Sequence, residues 1–126
     1  MKVKLSVLWI FVMFNYIYAD IMTLMDSSVL TQILSGTVGG LQLTPGFFLI
    51  AAIIMEIPIA MVILSLFLKY KWNRLANIIA GIIKTLAVIA SMFVGTPALY
   101  YVFFGVIEII FTSIIVIIAW KWKNPN

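Results

Sequence analysis

The apolar residues of this sequence come in four nearly unbroken runs, each about long enough to cross a bilayer, rather than at the spacing of a water-facing amphipathic helix. The runs cover roughly 5–25, 46–68, 75–93 and 98–120, and short connections take up the rest of the 126 residues. With 65% hydrophobic and 10% charged residues, the chain has too little polar surface to cover itself in water. The expected fold class is an all-α membrane protein: one transmembrane domain over 1–126, a four-transmembrane-helix bundle built from two tandem helical hairpins, with the lipid bilayer as its first partner.

Charge sets the expected orientation. Lys2 and Lys4 precede the first run, Lys69, Lys71 and Arg74 lie between the second and third, and Lys121 and Lys123 follow the fourth. No lysine or arginine lies in 26–45 or around Gly95 to Pro97. The positive-inside bias then puts both termini and the middle loop in the cytoplasm. Trp9, Tyr70, Trp72, Trp120 and Trp122 fall near the inner boundary and Tyr100 and Tyr101 near the outer one, where amphipathic rings suit the headgroups. A cleaved signal peptide ending at Ala19 is the competing reading of the N-terminus. It fits poorly, because Ile17 stands where a small residue is wanted and the apolar run continues through Met25.

Shifting the sequence by 52 residues aligns Thr44-Pro45 with Thr96-Pro97, Glu56 with Glu108, Lys69 with Lys121 and Lys71 with Lys123. The second and fourth spans therefore read as copies, each with a glutamate halfway along, in the manner of parallel repeats. The outer loop over 26–45 has no equal in the second half. Asp26 or Ser27 can cap a short helix reaching Leu34, and Gly36, Gly39 and Gly40 supply a turn after it. Its apolar residues suit a position across the outer mouth of the bundle or on the membrane interface.

Three of the four acidic residues, Asp20, Glu56 and Glu108, fall inside spans together with Lys84. A charge at the bilayer centre costs about 2.5–3.5 kcal/mol on insertion scales, so these groups are expected to face inward and meet. Glu56, Lys84 and Glu108 lie near one depth with Asn15, and Asp20 lies about 8 Å further out at the helical rise. On the third span Asn77, Ala80, Gly81, Lys84, Ala87, Ser91 and Gly95 form one small-and-polar stripe suited to packing against protein. Tyr101, Gly105, Glu108 and Thr112 do the same on the fourth span, Ala52, Glu56 and Ala60 on the second, and Tyr16, Asp20 and Thr23 on the first. Pro58 removes one backbone donor and frees the carbonyl of Ile54 beside Glu56. One glutamate is expected to pair with Lys84, and the excess of acids disfavours full ionisation of the cluster.

Two uses of such a cluster are open: a midplane site for a small molecule, ion or proton, formed by Glu56, Lys84, Glu108, Asp20 and Asn15, or a buried network that fixes helix register. An enzyme is a special case of the first. The chain has no cysteine and no histidine, and no metal-ligand spacing, phosphate loop or nucleophile motif stands out. Catalytic residues, a metal site and a cofactor are accordingly not assigned. The basic residues flank spans and form no patch suited to nucleic acid, whereas a polar stripe on an outer face would let two copies pair as a homo-oligomer.

The runs Tyr18-Ala19-Asp20, Gly39-Gly40-Leu41-Gln42-Leu43-Thr44-Pro45, Met55-Glu56-Ile57-Pro58, Asn77 through Thr85, and Gly95-Thr96-Pro97-Ala98-Leu99-Tyr100-Tyr101 with Glu108 resemble an uncharacterised family of small bacterial four-span membrane proteins. The resemblance implies the four-span topology and a bacterial cytoplasmic membrane, and no activity. In architecture alone the pattern is loosely similar to DoxX-type four-helix proteins, some of them linked to quinone-dependent sulfur oxidation, and that would imply a redox-associated alternative. Small multidrug exporters share the span number but carry their glutamate in the first span, where this chain has none.

Overall fold

Lipid offers the backbone no hydrogen-bond partner, so apolar runs of this length fold as helices. In the computed structural model, which describes residues 1–38, 40–93 and 98–123, the order is α1 (Lys2–Met25), α2 (Ser27–Leu34), β1 (Thr37–Val38), β2 (Leu41–Gln42), α3 (Pro45–Phe67), α4 (Tyr70–Ser91) and α5 (Leu99–Lys121). Four of these helices, α1, α3, α4 and α5, are long and apolar enough to cross a membrane. The two strands form a small antiparallel hairpin outside the bundle, pairing Thr37 with Gln42 and Val38 with Leu41. The chain is an all-α membrane protein.

The four long helices close a ring in the order α1, α3, α4, α5, with α5 returning to α1. Neighbours run antiparallel: Ser6 near the start of α1 donates to the carbonyl of Val62 near the end of α3 at 2.8 Å, and Tyr70 opening α4 donates to the carbonyl of Trp122 just past α5 at 2.7 Å. Large side chains such as Phe14, Leu49, Ile53, Leu86, Phe103 and Ile110 point outward, as a lipid-facing surface requires. The core holds Leu5, Trp9, Val12, Met61, Ala80, Ile115 and Trp122. Close approach of α4 and α5 depends on Gly81, where an added Cβ would lie 2.5 Å from Val116 and 3.3 Å from the backbone carbonyl oxygen of Thr112.

Helices α1 and α4 stand on a diagonal of the ring and run parallel, joined through the centre by two polar contacts. The Trp9 indole donates to Asn77 Oδ1 at 2.7 Å, and the Lys84 ammonium donates to the Tyr16 hydroxyl. Each contact joins residues 68 apart in sequence, so the helices are level. The two rungs are a heptad apart, about 10 Å along the axis.

The rung nearer the termini is completely satisfied. Asn77 Oδ1 also accepts from Ser65 Oγ at 3.3 Å, while its Nδ2 donates to the Asn73 carbonyl and to Asn73 Oδ1 at 2.9 and 2.7 Å. Asn73 Nδ2 in turn donates to the carbonyls of Ser65 and Leu68 at the α3–α4 turn. All four side chains are buried, Trp9 with 0% exposure. The indole of Trp9 therefore belongs to the core and not to the headgroup belt expected from sequence, because Leu5, Trp9 and Val12 share the face of α1 that turns inward.

At the other end, Asp26 caps α2 by accepting from the Ser28 backbone N–H at 3.1 Å and its hydroxyl at 2.8 Å, and Tyr100 donates to it across from α5 at 3.0 Å. These bonds, that from the Ser28 hydroxyl first, hold the Asp26 carboxyl below its ordinary range. Gly36, with φ of 88°, turns the chain out of α2, and Gly40, with φ of 83°, turns it into β2. No residue of α2 is buried. Gly39, Val94, Gly95, Thr96 and Pro97, including the second Thr-Pro pair of the repeat, lie outside the described residues.

The repeat does not carry over to the packing. The buried positions of α3 are Pro58, Met61 and Ser65, and those of α5 include Thr112, Ile115 and Ala119. These sets match at an offset of 54, not at the 52 that aligns the glutamates. Two residues on a helix amount to about 200° of rotation, so sequence-equivalent positions face opposite ways.

Replacing Asn77 with Leu keeps the branching at the γ carbon but removes the partner of Trp9 and Ser65 and leaves Asn73 Oδ1 buried without a donor. A loss of about 1–3 kcal/mol is expected, measured by denaturant unfolding in detergent micelles, with the melting midpoint as a second readout.

Candidate functional site

In the half of the bundle away from the termini no residue of α3 is buried: its buried residues all lie from Pro58 onward. The space left there is a cavity of about 270 Å³ lined by all four long helices. Tyr16, Ala19 and Asp20 come from α1, Phe47, Ala51, Ile54 and Met55 from α3, Lys84, Ala87, Val88 and Ser91 from α4, and Tyr101 and Glu108 from α5. Ile54 is also the residue whose carbonyl loses its helical donor to Pro58.

Lys84 is 2% exposed. Besides donating to the Tyr16 hydroxyl, its Nζ lies 3.5 Å from the centre of the Tyr16 ring, a cation–π contact. The bond expected to a glutamate thus goes to a tyrosine, and among the described residues no ion pair within 4 Å joins Lys84 to a carboxylate. Glu108 is 7% exposed, and its Oε1 is buried without a hydrogen-bond partner. Lys84, Glu108 and Asp20 nevertheless lie close enough for their charges to act on one another. Toward the loop end Tyr101 donates to Ser91 at 2.8 Å, and Ser91 donates to the Val88 carbonyl at 2.7 Å. Gly105, one turn from both Tyr101 and Glu108, faces Met92 and Val88 so closely that a Cβ there would strike the Met92 methyl.

Of the residues expected at the site, Lys84, Glu108 and Asp20 meet around the cavity, with Asp20 exposed at its edge. Glu56 and Asn15 do not. Glu56 is exposed on the outer side of α3, since Pro58, two residues on, faces inward and the intervening rotation is about 200°. Asn15 is half-buried and donates to the carbonyl of Phe11 in its own helix at 2.9 Å. Tyr16 takes its place. The signal for it was the i, i+4 spacing of Tyr16 and Asp20 on one face, which counting ionisable groups alone passes over.

A family model, described as a family of unknown function, matches residues 1–126, the whole chain. The chain belongs to the DUF6326 family. Comparison of this DUF6326 member with curated proteins and with solved structures gives no significant match. Family membership therefore supplies no activity, and the cavity is the basis for any reading of function in this DUF6326 chain.

The contrast between Tyr16 and Glu56 is measurable. Changing Tyr16 to Phe takes the acceptor from a buried ammonium and is expected to cost about 1.5–3 kcal/mol, the range for hydrogen bonds to charged groups. Changing Glu56 to Gln on the exposed face is expected to alter stability by no more than about 0.5 kcal/mol. Thermal unfolding of the two variants in the same detergent checks both values.

Proposed function

We propose that this protein is a multi-pass protein of a bacterial cytoplasmic membrane that binds, or carries across part of the bilayer, a small molecule or ion held between Glu108, Lys84 and Tyr16, with Asp20 at the entrance. The observation that carries the reading is Glu108. A carboxyl oxygen buried without a donor costs free energy, and this one belongs to a residue that lines a cavity reached by all four helices. Intramembrane carboxylates next to a cavity serve ligand or ion paths more often than packing. Both termini are assigned to the cytoplasm, on the support of seven basic residues at the termini end against none at the other.

The second reading, a non-catalytic subunit whose polar residues fix register, is favoured by the constant 68-residue spacing of the two rungs. The two readings part on Glu108→Gln. Under the first, a structure of protein purified from its native membrane contains a non-protein molecule in the cavity, and the variant reaches normal membrane abundance but lacks that molecule. Under the second, the cavity of the wild type holds nothing and the variant loses abundance.

The absence of cysteine makes orientation simple to test. Ser28→Cys is expected to react with a membrane-impermeant maleimide on intact cells, and Lys123→Cys only after the membrane is opened; the reverse pattern would invert the topology.

A further inference from the structure

The polar groups of the cavity come from α1, α4 and α5 while α3 supplies only apolar side chains, and that distribution, together with charge, narrows what it can hold. Glu108, Asp20 and Lys84 all line it, but Lys84 is buried and already gives one of its N–H groups to the Tyr16 hydroxyl while lying against the Tyr16 ring. The cavity thus offers an unmatched acceptor, and its two carboxyl groups outnumber its single amine. An anion would meet two carboxylates and an ammonium that is already engaged and 2% exposed. A bare metal ion wants several oxygen ligands at close range, but Phe47, Ala51, Met55 and Val88 supply carbon. Carbon and the rings of Phe47 and Tyr101 suit an apolar body, and an electron-rich ring also favours a cation.

We propose that the ligand class is a small organic monocation with N–H donors, a protonated primary amine with an apolar body, its ammonium on Glu108 and its body against Phe47 and Met55. This rests on the cavity reading above and goes beyond it by naming the charge and the donor. Asp20, exposed at the edge, is placed to draw the cation in.

Three probes of nearly one shape test the class: benzylamine, benzyl alcohol and benzoate, each titrated into the purified protein in neutral detergent with the melting midpoint as readout. Benzylamine is expected to raise the midpoint and to bind about tenfold or more tighter than the alcohol, with no response to benzoate. Glu108→Gln, close in shape to the original, is expected to remove that preference. Should it not fold, Asp20→Asn at the cavity edge serves as the second variant and is expected to weaken the amine severalfold and to make its binding less salt-dependent. Glu56→Gln leaves amine binding unchanged. Preferential binding of benzoate or the alcohol, lost in Lys84→Met or Tyr16→Phe, overturns the amine while leaving the cavity as a site. Amine binding indifferent to Glu108 and Asp20 also overturns it. Failure of all three probes to bind up to their solubility limits overturns the amine as the ligand class, and the cavity reading then stands or falls on the molecule found in the membrane-purified protein.

Discussion

The diagonal between α1 and α4 governs the rest of this bundle. Lipid tails are as apolar as leucine, so burying a leucine between membrane helices gains little, and association rests on close packing and on polar groups that find partners only inside the protein. Trp9 with Asn77, and Tyr16 with Lys84, bring opposite helices of the ring together at two heights. Once those heights are fixed, α1 and α4 cannot slide relative to one another without breaking both contacts. The remaining helices fit around that pair: α5 against the Gly81 side of α4, α3 against Ser6 of α1 and Asn77 of α4.

Such an axis explains why some features were legible in the sequence and others were not. The spans follow from length and hydropathy, which are local properties. The inward stripe of α4 follows as well, because Asn77, Ala80, Gly81 and Lys84 are small or polar where the opposite face is isoleucine and leucine. Asp26 as a cap is legible for the same reason, since its partner is two residues away. Rotation of α3 is not local. The cost of a lipid-facing carboxyl argues for turning Glu56 inward, yet Pro58, Met61 and Ser65 take the inner face and Ser65 is held by Asn77. A helix has one rotation, and the buried set outweighs the single glutamate.

The paired glutamates show the same limit from another side. An offset of 52 is a property of the sequence, whereas the packing follows an offset of 54. If α3 and α5 descend from one ancestral span, they have turned about half a circle relative to each other, and only Glu108 kept the interior. Trp9 and Tyr16 escaped the charge count because neither is ionised in the ordinary range, although each is the partner that makes a buried polar group on α4 tolerable.

The two rungs differ in a way that bears on function. Asn77 uses both of its acceptor sites and both donors, so that rung is closed and gains nothing from a further molecule. The Lys84 rung lies beside a cavity and beside a carboxyl with an unused oxygen. A network needed only for register would be expected to resemble the first rung, because each unsatisfied buried group costs about 1–3 kcal/mol. One fully satisfied rung and one beside an unpartnered carboxyl, a heptad apart in the same helix pair, suits the proposed site: a rigid floor, and above it a polar group able to take a partner from outside the chain.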